Sequence, residues 1–273
     1  MVNRITFNAK APVMPVIDSH IHLDFDLFDA KRDILMLHMQ RLGLLHAVIP
    51  GVSAAHWAKQ RAVAKQYDCS YALGIHPWYC DEQWPSDIVQ LEQLLIKNKQ
   101  DKRLVAIGEC GLDGGYRDTW DMQIHCFEAQ LSLAQRFDLP VIIHSVKAHN
   151  EVLHLLKRYP LNKAGVIHGF YGSTQLAQQY LDCGMKLGIG HLLFNKTAKK
   201  LRESIVNLPL ASLVVETDLA LALQQEKPDV DDNISESNLM LHLLIAEIAM
   251  LQKKSRVLVS EQVFRNTLQL FDL

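Results

Sequence analysis

A chain of 273 residues, 49% hydrophobic and 21% charged, is long and apolar enough to bury one large core, which excludes a disordered or fibrous protein. The formal net charge of -2 excludes a strong, sequence-independent polyanion clamp and leaves a local basic patch or bound cations as sources of positive potential. Cys69, Cys80, Cys110, Cys126 and Cys183 form no CxxC pair, MVNRITFNAKAPVMP lacks a signal-like apolar segment, and no run approaches the roughly 18 apolar residues of a membrane span, so a reduced cytoplasmic protein is expected.

Short runs rich in Val, Ile and Leu recur along the chain, each followed by a longer stretch with helical spacing. In order they are PVIDSHIHLD (15–24), HAVIPGV (46–52), YALGIH (71–76), LVAIGE (104–109), LPVIIHS (139–145), AGVIHGF (164–170), MKLGIG (185–190) and SLVVETD (212–218). Their length and composition predict strands buried on both faces. Between them, DAKRDILMLHMQRLG, SAAHWAKQRAVAKQY, DMQIHCFEAQLSLAQRF and TQLAQQYLDCG predict helices, with Gly43 and Gly184 closing the first and last and Ser53 and Ser173 as caps.

Eight alternating units without a composition break predict a single α/β domain over 1–273, a TIM (β/α)8 barrel. The rival is a doubly wound open sheet, disfavoured because no GxGxxG follows the first strand. One segment departs from the rhythm: LALALQQEKPDVDDNISESN (219–238) is acidic and turn-rich, which predicts a loop at the barrel mouth leading into a final helix near 236–252.

Residues two apart in a strand share a face, so His20 and His22 point the same way with Asp18 beneath them, where its carboxylate can fix an imidazole tautomer. Alone, this pair suits half a metal site or two hydrogen-bonded core histidines. Four further strands end in a residue able to bind a metal: Glu109, His144, His168 and Asp218. A barrel draws its catalytic groups from the C-terminal ends of several strands. Four histidines and two carboxylates suit a divalent ion such as Zn²⁺, Mn²⁺ or Mg²⁺. Six protein ligands are too many for one catalytic ion and suit two that share a bridging carboxylate, a pairing that favours phosphate ester hydrolysis.

In order along nearly the whole chain, IDSHIHLD, LGIHPW, AIGECGLD, LPVIIHS, VIHGFYGS and LPLASLVVETD resemble the TatD-type deoxyribonuclease family of amidohydrolase-like, metal-dependent hydrolases. HGFYGS and LPLASLVVETD are most similar to its YjjV branch. The resemblance implies a TIM barrel with two divalent ions per subunit: His20 and His22 hold one with Asp218, Glu109 bridges, and His144 and His168 hold the second. It further implies a metal-dependent nuclease acting on DNA as a transient partner, with Asp218 and Glu109 as catalytic residues. Related proteins hydrolyse D-aminoacyl-tRNA esters, so another ester or amide is the alternative substrate, and a catalytically weak metal-binding regulator is a further one.

Three departures lie beside these ligands. Leu219 and Ala220 stand where the family continues with a small residue and proline, Val146 and Lys147 stand where it has arginine after HS, and the usual proline-containing pattern is poorly matched around DDNISES. They bear on substrate choice and catalytic vigour.

Among the remaining candidates, His76 in GIHPW suits a role supporting the ligands or contacting phosphate, or a turn before Pro77. Glu216 shares parity with Asp218 but lies deeper, which predicts a hydrogen bond to a ligand. Asp113 is expected to cap its own turn or to support the site, Cys110 to point away from the site, and Trp78, Trp84 and Tyr116 to cover the rim or stack on a base. No membrane contact is expected, and a monomer is.

Overall fold

The computed structural model describes residues 14–219 and 230–273, with side chains described from residue 239 in the second stretch. Eight parallel strands pair in chain order: β1 (Val16–Asp18), β2 (Leu44–Ile49), β3 (Ser70–Leu73), β4 (Leu104–Asp113), β5 (Val141–Val146), β6 (Gly165–Ile167), β7 (Met185–Ile189) and β8 (Leu213–Val215). The seam between β8 and β1 is closed by Ser19 N donating to Val215 O at 3.1 Å and Asp218 N donating to His20 O at 2.9 Å. The result is the expected TIM barrel.

Helices α1 (Arg32–Arg41), α2 (Trp57–Gln66), α3 (Trp84–Lys97), α4 (Trp120–Phe137), α5 (His149–Arg158), α6 (Thr174–Asp182) and α7 (Lys199–Asn207) separate the strands; α8 (Val230–Gln252) and α9 (Arg256–Phe271) follow β8. Gly43 and Gly184 take positive φ after α1 and α6, a conformation open to glycine without a Cβ clash. Ser173 accepts from Leu176 N at 3.2 Å and caps α6. Ser53 does not cap α2, because that helix begins at Trp57 and the Ser53 hydroxyl pairs with His56 Nδ1 at 2.7 Å.

Two apolar layers result from strand alternation. Val48, Ala72, Ala106, Ile142, Val166 and Val214 pack inside the barrel, with Leu270 and Phe271 of α9 in the same cluster. Strand residues of opposite parity, among them Ile49, Leu73, Ile143, Ile167, Leu187 and Val215, join the helices in the larger outer core.

Several expected boundaries are corrected. β4 runs on to Asp113, so Glu109 lies within a strand. β1 stops at Asp18, which leaves His20 and His22 in the turn that follows it, and β6 and β8 stop before His168 and Asp218. Of the expected loop 219–238, residues 220–229 lie outside the described residues; the helix expected near 236–252 starts at Val230 and is not the last, because α9 follows it.

Candidate metal centre

Parity carries most of the site. Ile142 lies inside the barrel, so His144 follows it inward; Val166 does the same for His168, and Val214 for Glu216. Glu109 has the wrong parity relative to inward Ala106. Its entry into the barrel follows from a register shift between Ile107 and Cys110 in the pairing of β4 with β5. A one-residue slip turns the following side chains to the opposite face, which sends Glu109 inward and Cys110 into the outer core, where its thiol lies 3.5 Å from Ile142 O.

Glu109 is the hub. Its Oε2 lies 3.2 Å from His20 Nε2 and 3.4 Å from His22 Nε2, two ring nitrogens themselves 3.2 Å apart. Its Oε1 lies 3.2 Å from His76 Nε2, 3.0 Å from His144 Nδ1 and 3.2 Å from His168 Nε2. Asp218 completes the first side, with Oδ1 3.7 Å from His22 Nε2 and 4.0 Å from His20 Nε2. All six expected ligands therefore converge, and His76 stands among them.

The surrounding carboxylates fix these rings and the backbone beneath them. Asp113 Oδ2 lies 3.2 Å from His144 Nε2 and accepts from Trp78 Nε1 at 2.7 Å, while its Oδ1 accepts from Gly115 N at 2.8 Å. Asp113 thus fills both expected roles, capping its turn and supporting a candidate ligand, although which ligand it meets is set by strand pairing because His144 lies 31 residues away. Glu216 Oε1 lies 3.3 Å from His168 Nδ1.

Asp18 holds no imidazole tautomer. Its Oδ1 accepts from the backbone N–H groups of His20 and Thr217, both at 3.1 Å, and its Oδ2 from the Thr217 hydroxyl at 2.6 Å. It supports the ligands through the backbone because β1 ends at this residue and the chain turns over it. Asp24, a further carboxylate beyond the expected set, lies two residues after His22; it is buried, and its Oδ1 has no hydrogen-bond partner among the described residues. Its spacing from His22 was the available signal. His149 lies with Ser145 and Tyr180 behind β5, its Nδ1 2.8 Å from the Tyr180 hydroxyl.

Electrostatics set these groups apart. Burial pushes the Glu109 carboxyl up, but the His168, His76 and His20 rings and the His144 hydrogen bond hold it well below the usual range. Burial lowers His168, yet Glu109 and Glu216 keep it well above the ordinary histidine value. Burial brings His76 down to about 4 despite Glu109, and lifts Asp18 to about 7 against its hydrogen bonds. For Asp113, burial is outweighed by His144 and Trp78, which hold it at about 2.

The residues fit a divalent cation. Among the described residues Asp18, Asp24, Glu109, Asp113, Glu216 and Asp218 are buried carboxylates, and Arg32 is the buried Lys or Arg side chain set against them. Buried charge requires compensation. The Asp218 Oδ1 is buried without a hydrogen-bond partner among the described residues, as a cation ligand would be. Within 4.8 Å clusters, His20, His22 and Glu109 form one donor group, His76, Glu109 and His144 a second, and His20, His168 and Glu216 a third.

A barrel with imidazoles and carboxylates converging at its strand ends defines the class of metal-dependent hydrolases. The family described as TatD related DNase matches residues 17–272. The metal-dependent hydrolase YjjV of Escherichia coli is 37% identical over 204 residues, covering 74% of this chain and 78% of its own. Its crystal structure superposes with a TM-score of 0.84 at 30% identity, over 96% of this chain and all of that one. The 3′-5′ ssDNA/RNA exonuclease TatD of Pantoea ananatis is 29% identical over 264 residues, 94% of this chain and 100% of its own. The chain belongs to the TatD-related DNase family. No helix among the described residues is long and apolar enough to cross a membrane.

Proposed function

We propose that the chain is a nuclease that hydrolyses phosphodiester bonds at single-stranded or frayed DNA ends with two divalent cations held around Glu109. The observation that carries this reading is the split between the two Glu109 oxygens, Oε2 facing His20 and His22 and Oε1 facing His76, His144 and His168. A carboxylate flanked on both oxygens by ring nitrogens suits a bridge between two ions. His20, His22 and Asp218 would hold one ion, and His144 and His168 the other, with His76 beside the second. Zn²⁺, Mn²⁺ and Mg²⁺ all suit oxygen and imidazole donors. Bound there, such ions supply Lewis-acid charge to the phosphoryl oxygens and lower the pKa of a water.

The chain's own groups orient and move the proton. As the water oxygen bonds to phosphorus and the bond to the leaving sugar oxygen breaks, Asp218 receives the water's proton, and the departing oxygen takes up a proton from solvent to leave as a hydroxyl. Asp113 fixes the His144 ring, Glu216 lies against His168, and Asp18 pins the backbone beneath His20. The nucleic-acid substrate is supported by relatives named 3′-5′ ssDNA/RNA exonucleases. Five free cysteines agree with a reducing cytoplasmic setting, where the enzyme would act as a monomer.

The test pairs metal analysis with end-labelled single-stranded oligonucleotides, aminoacyl-tRNA and simple esters, each with Mg²⁺, Mn²⁺ or Zn²⁺. Oligonucleotide cleavage that disappears in Glu109→Ala and Asp218→Ala is expected. Full metal-dependent activity in either variant would overturn the site assignment, and turnover confined to the other esters would overturn the nuclease reading.

A further inference from the structure

The rim beside His76 and His144 carries two large aromatic rings whose exposed faces the metal centre does not use. Trp78 is 40% exposed and Tyr116 48% exposed, fractions large enough to leave ring surface open beside a buried site. Their centroids are 5.5 Å apart at an interplanar angle of 37°. The Trp78 ring lies 4.8 Å from the His76 ring and 6.0 Å from the His144 ring, centroid to centroid.

Both rings are built into rigid structure. The Trp78 indole donates to Asp113, whose backbone N–H donates to Gln123 Oε1 at 2.8 Å. Gln123 Nε2 in turn donates to Tyr116 O at 2.8 Å. One buried glutamine of α4 thus fixes the segment that carries Tyr116 and the carboxylate that orients Trp78. The Tyr116 hydroxyl has no hydrogen-bond partner among the described residues, so its ring is held by backbone and packing and its outer surface serves no internal bond.

Two exposed basic residues, Arg117 and Lys147, border Gly114, two positions before Tyr116. Arg117 donates from Nε to Gly114 O at 3.2 Å, and its guanidinium lies 4.2 Å from the Trp120 ring centroid. Lys147 also borders Gly114: a Cβ on that glycine would lie 2.7 Å from Lys147 O and 3.2 Å from Arg117 Nη2. Neither cation has an ion pair with a described carboxylate. Two open aromatic rings and two available cations beside a phosphoester site match the two parts of a nucleotide, a planar base and a phosphate.

We infer that Trp78 and Tyr116 form a stacking platform for a nucleobase of the bound strand, with Arg117 and Lys147 taking the phosphate next to that base. The platform makes the site select nucleotides over bare phosphate esters. It rests on the nuclease reading for its place in catalysis, but its binding property stands on its own. Trp78 has a second, positioning role, because its indole N–H shares the Asp113 carboxylate with His144.

Isothermal titration of the metal-loaded protein with deoxyadenosine 5′-monophosphate and with deoxyribose 5-phosphate isolates the base. The nucleotide is expected to bind roughly ten-fold more tightly. Tyr116→Leu should erase most of that ratio while leaving deoxyribose 5-phosphate unaffected, and Trp78→Phe, which keeps a ring, should retain it. Arg117→Gln and Lys147→Gln should weaken both ligands alike. Equal affinities in the wild type, binding of neither ligand, or an unchanged ratio in Tyr116→Leu would overturn the platform. An oligonucleotide lacking its terminal base separates the two readings. Base-dependent binding without strand cleavage removes the nuclease reading and keeps the platform, whereas equal cleavage of the abasic and normal strands keeps the nuclease and removes the platform.

Discussion

Replacing Asp18 by alanine tests whether the barrel seam also holds the metal centre. Asp18 is fully buried and accepts three hydrogen bonds: His20 N and Thr217 N at Oδ1, and the Thr217 hydroxyl at Oδ2. Alanine leaves two backbone donors unpaired away from water, each at a cost of about 1–3 kcal/mol, while the hydroxyl can turn to another acceptor such as a neighbouring carbonyl. The expected loss is therefore about 4 kcal/mol. Asp18→Asn keeps an amide oxygen for both N–H groups and presents NH₂ to the hydroxyl, so its loss should stay near 1 kcal/mol. Urea unfolding with chelator present reads this difference as a shift of midpoint at constant slope. Because Asp18 ties the backbone of His20 to that of Thr217, beside Asp218, alanine should also weaken metal binding by titration calorimetry, and asparagine should not. Equal stability of the alanine variant and the wild type would refute the claim that the Asp18 bonds to Thr217 reinforce the seam.

Other consequences are open to direct measurement. Asp113→Asn should lower metal affinity by about 10–100-fold, since partners of metal-binding histidines set ring orientation and basicity; competition with a chromogenic chelator reads this. At Gly188 on β7 any added Cβ would collide with the Glu216 carboxylate, so Gly188→Ala should cost about 1–3 kcal/mol and lower the melting temperature. Chelation should lower the melting temperature, and a divalent ion at 100 times its Kd should restore about 2.7 kcal/mol; a melting curve indifferent to metal would argue against binding to the folded state.

Much of this molecule was legible in one dimension. Runs such as VIIH and VVETD announce strands by composition, and alternation places Ile142 with His144 and Val214 with Glu216 on the same face without knowledge of any partner strand. The (β/α)8 rhythm, and with it the strand ends as the site, follows from local periodicity because each β/α unit is defined within a few tens of residues.

Tertiary structure decided what depends on pairing between distant segments. Glu109 becomes the hub through a register slip against β5, and alternation counted from Ala106 would have turned it away. His76 joins the ligand cluster because β3 is placed beside β4, bringing it to 3.2 Å from Glu109. Asp18 serves the backbone of Thr217, 199 residues away, because the eighth strand returns to the first. Local sequence fixes which way a side chain points along its own strand; register and closure, set by hydrogen bonds between strands, fix what it meets there.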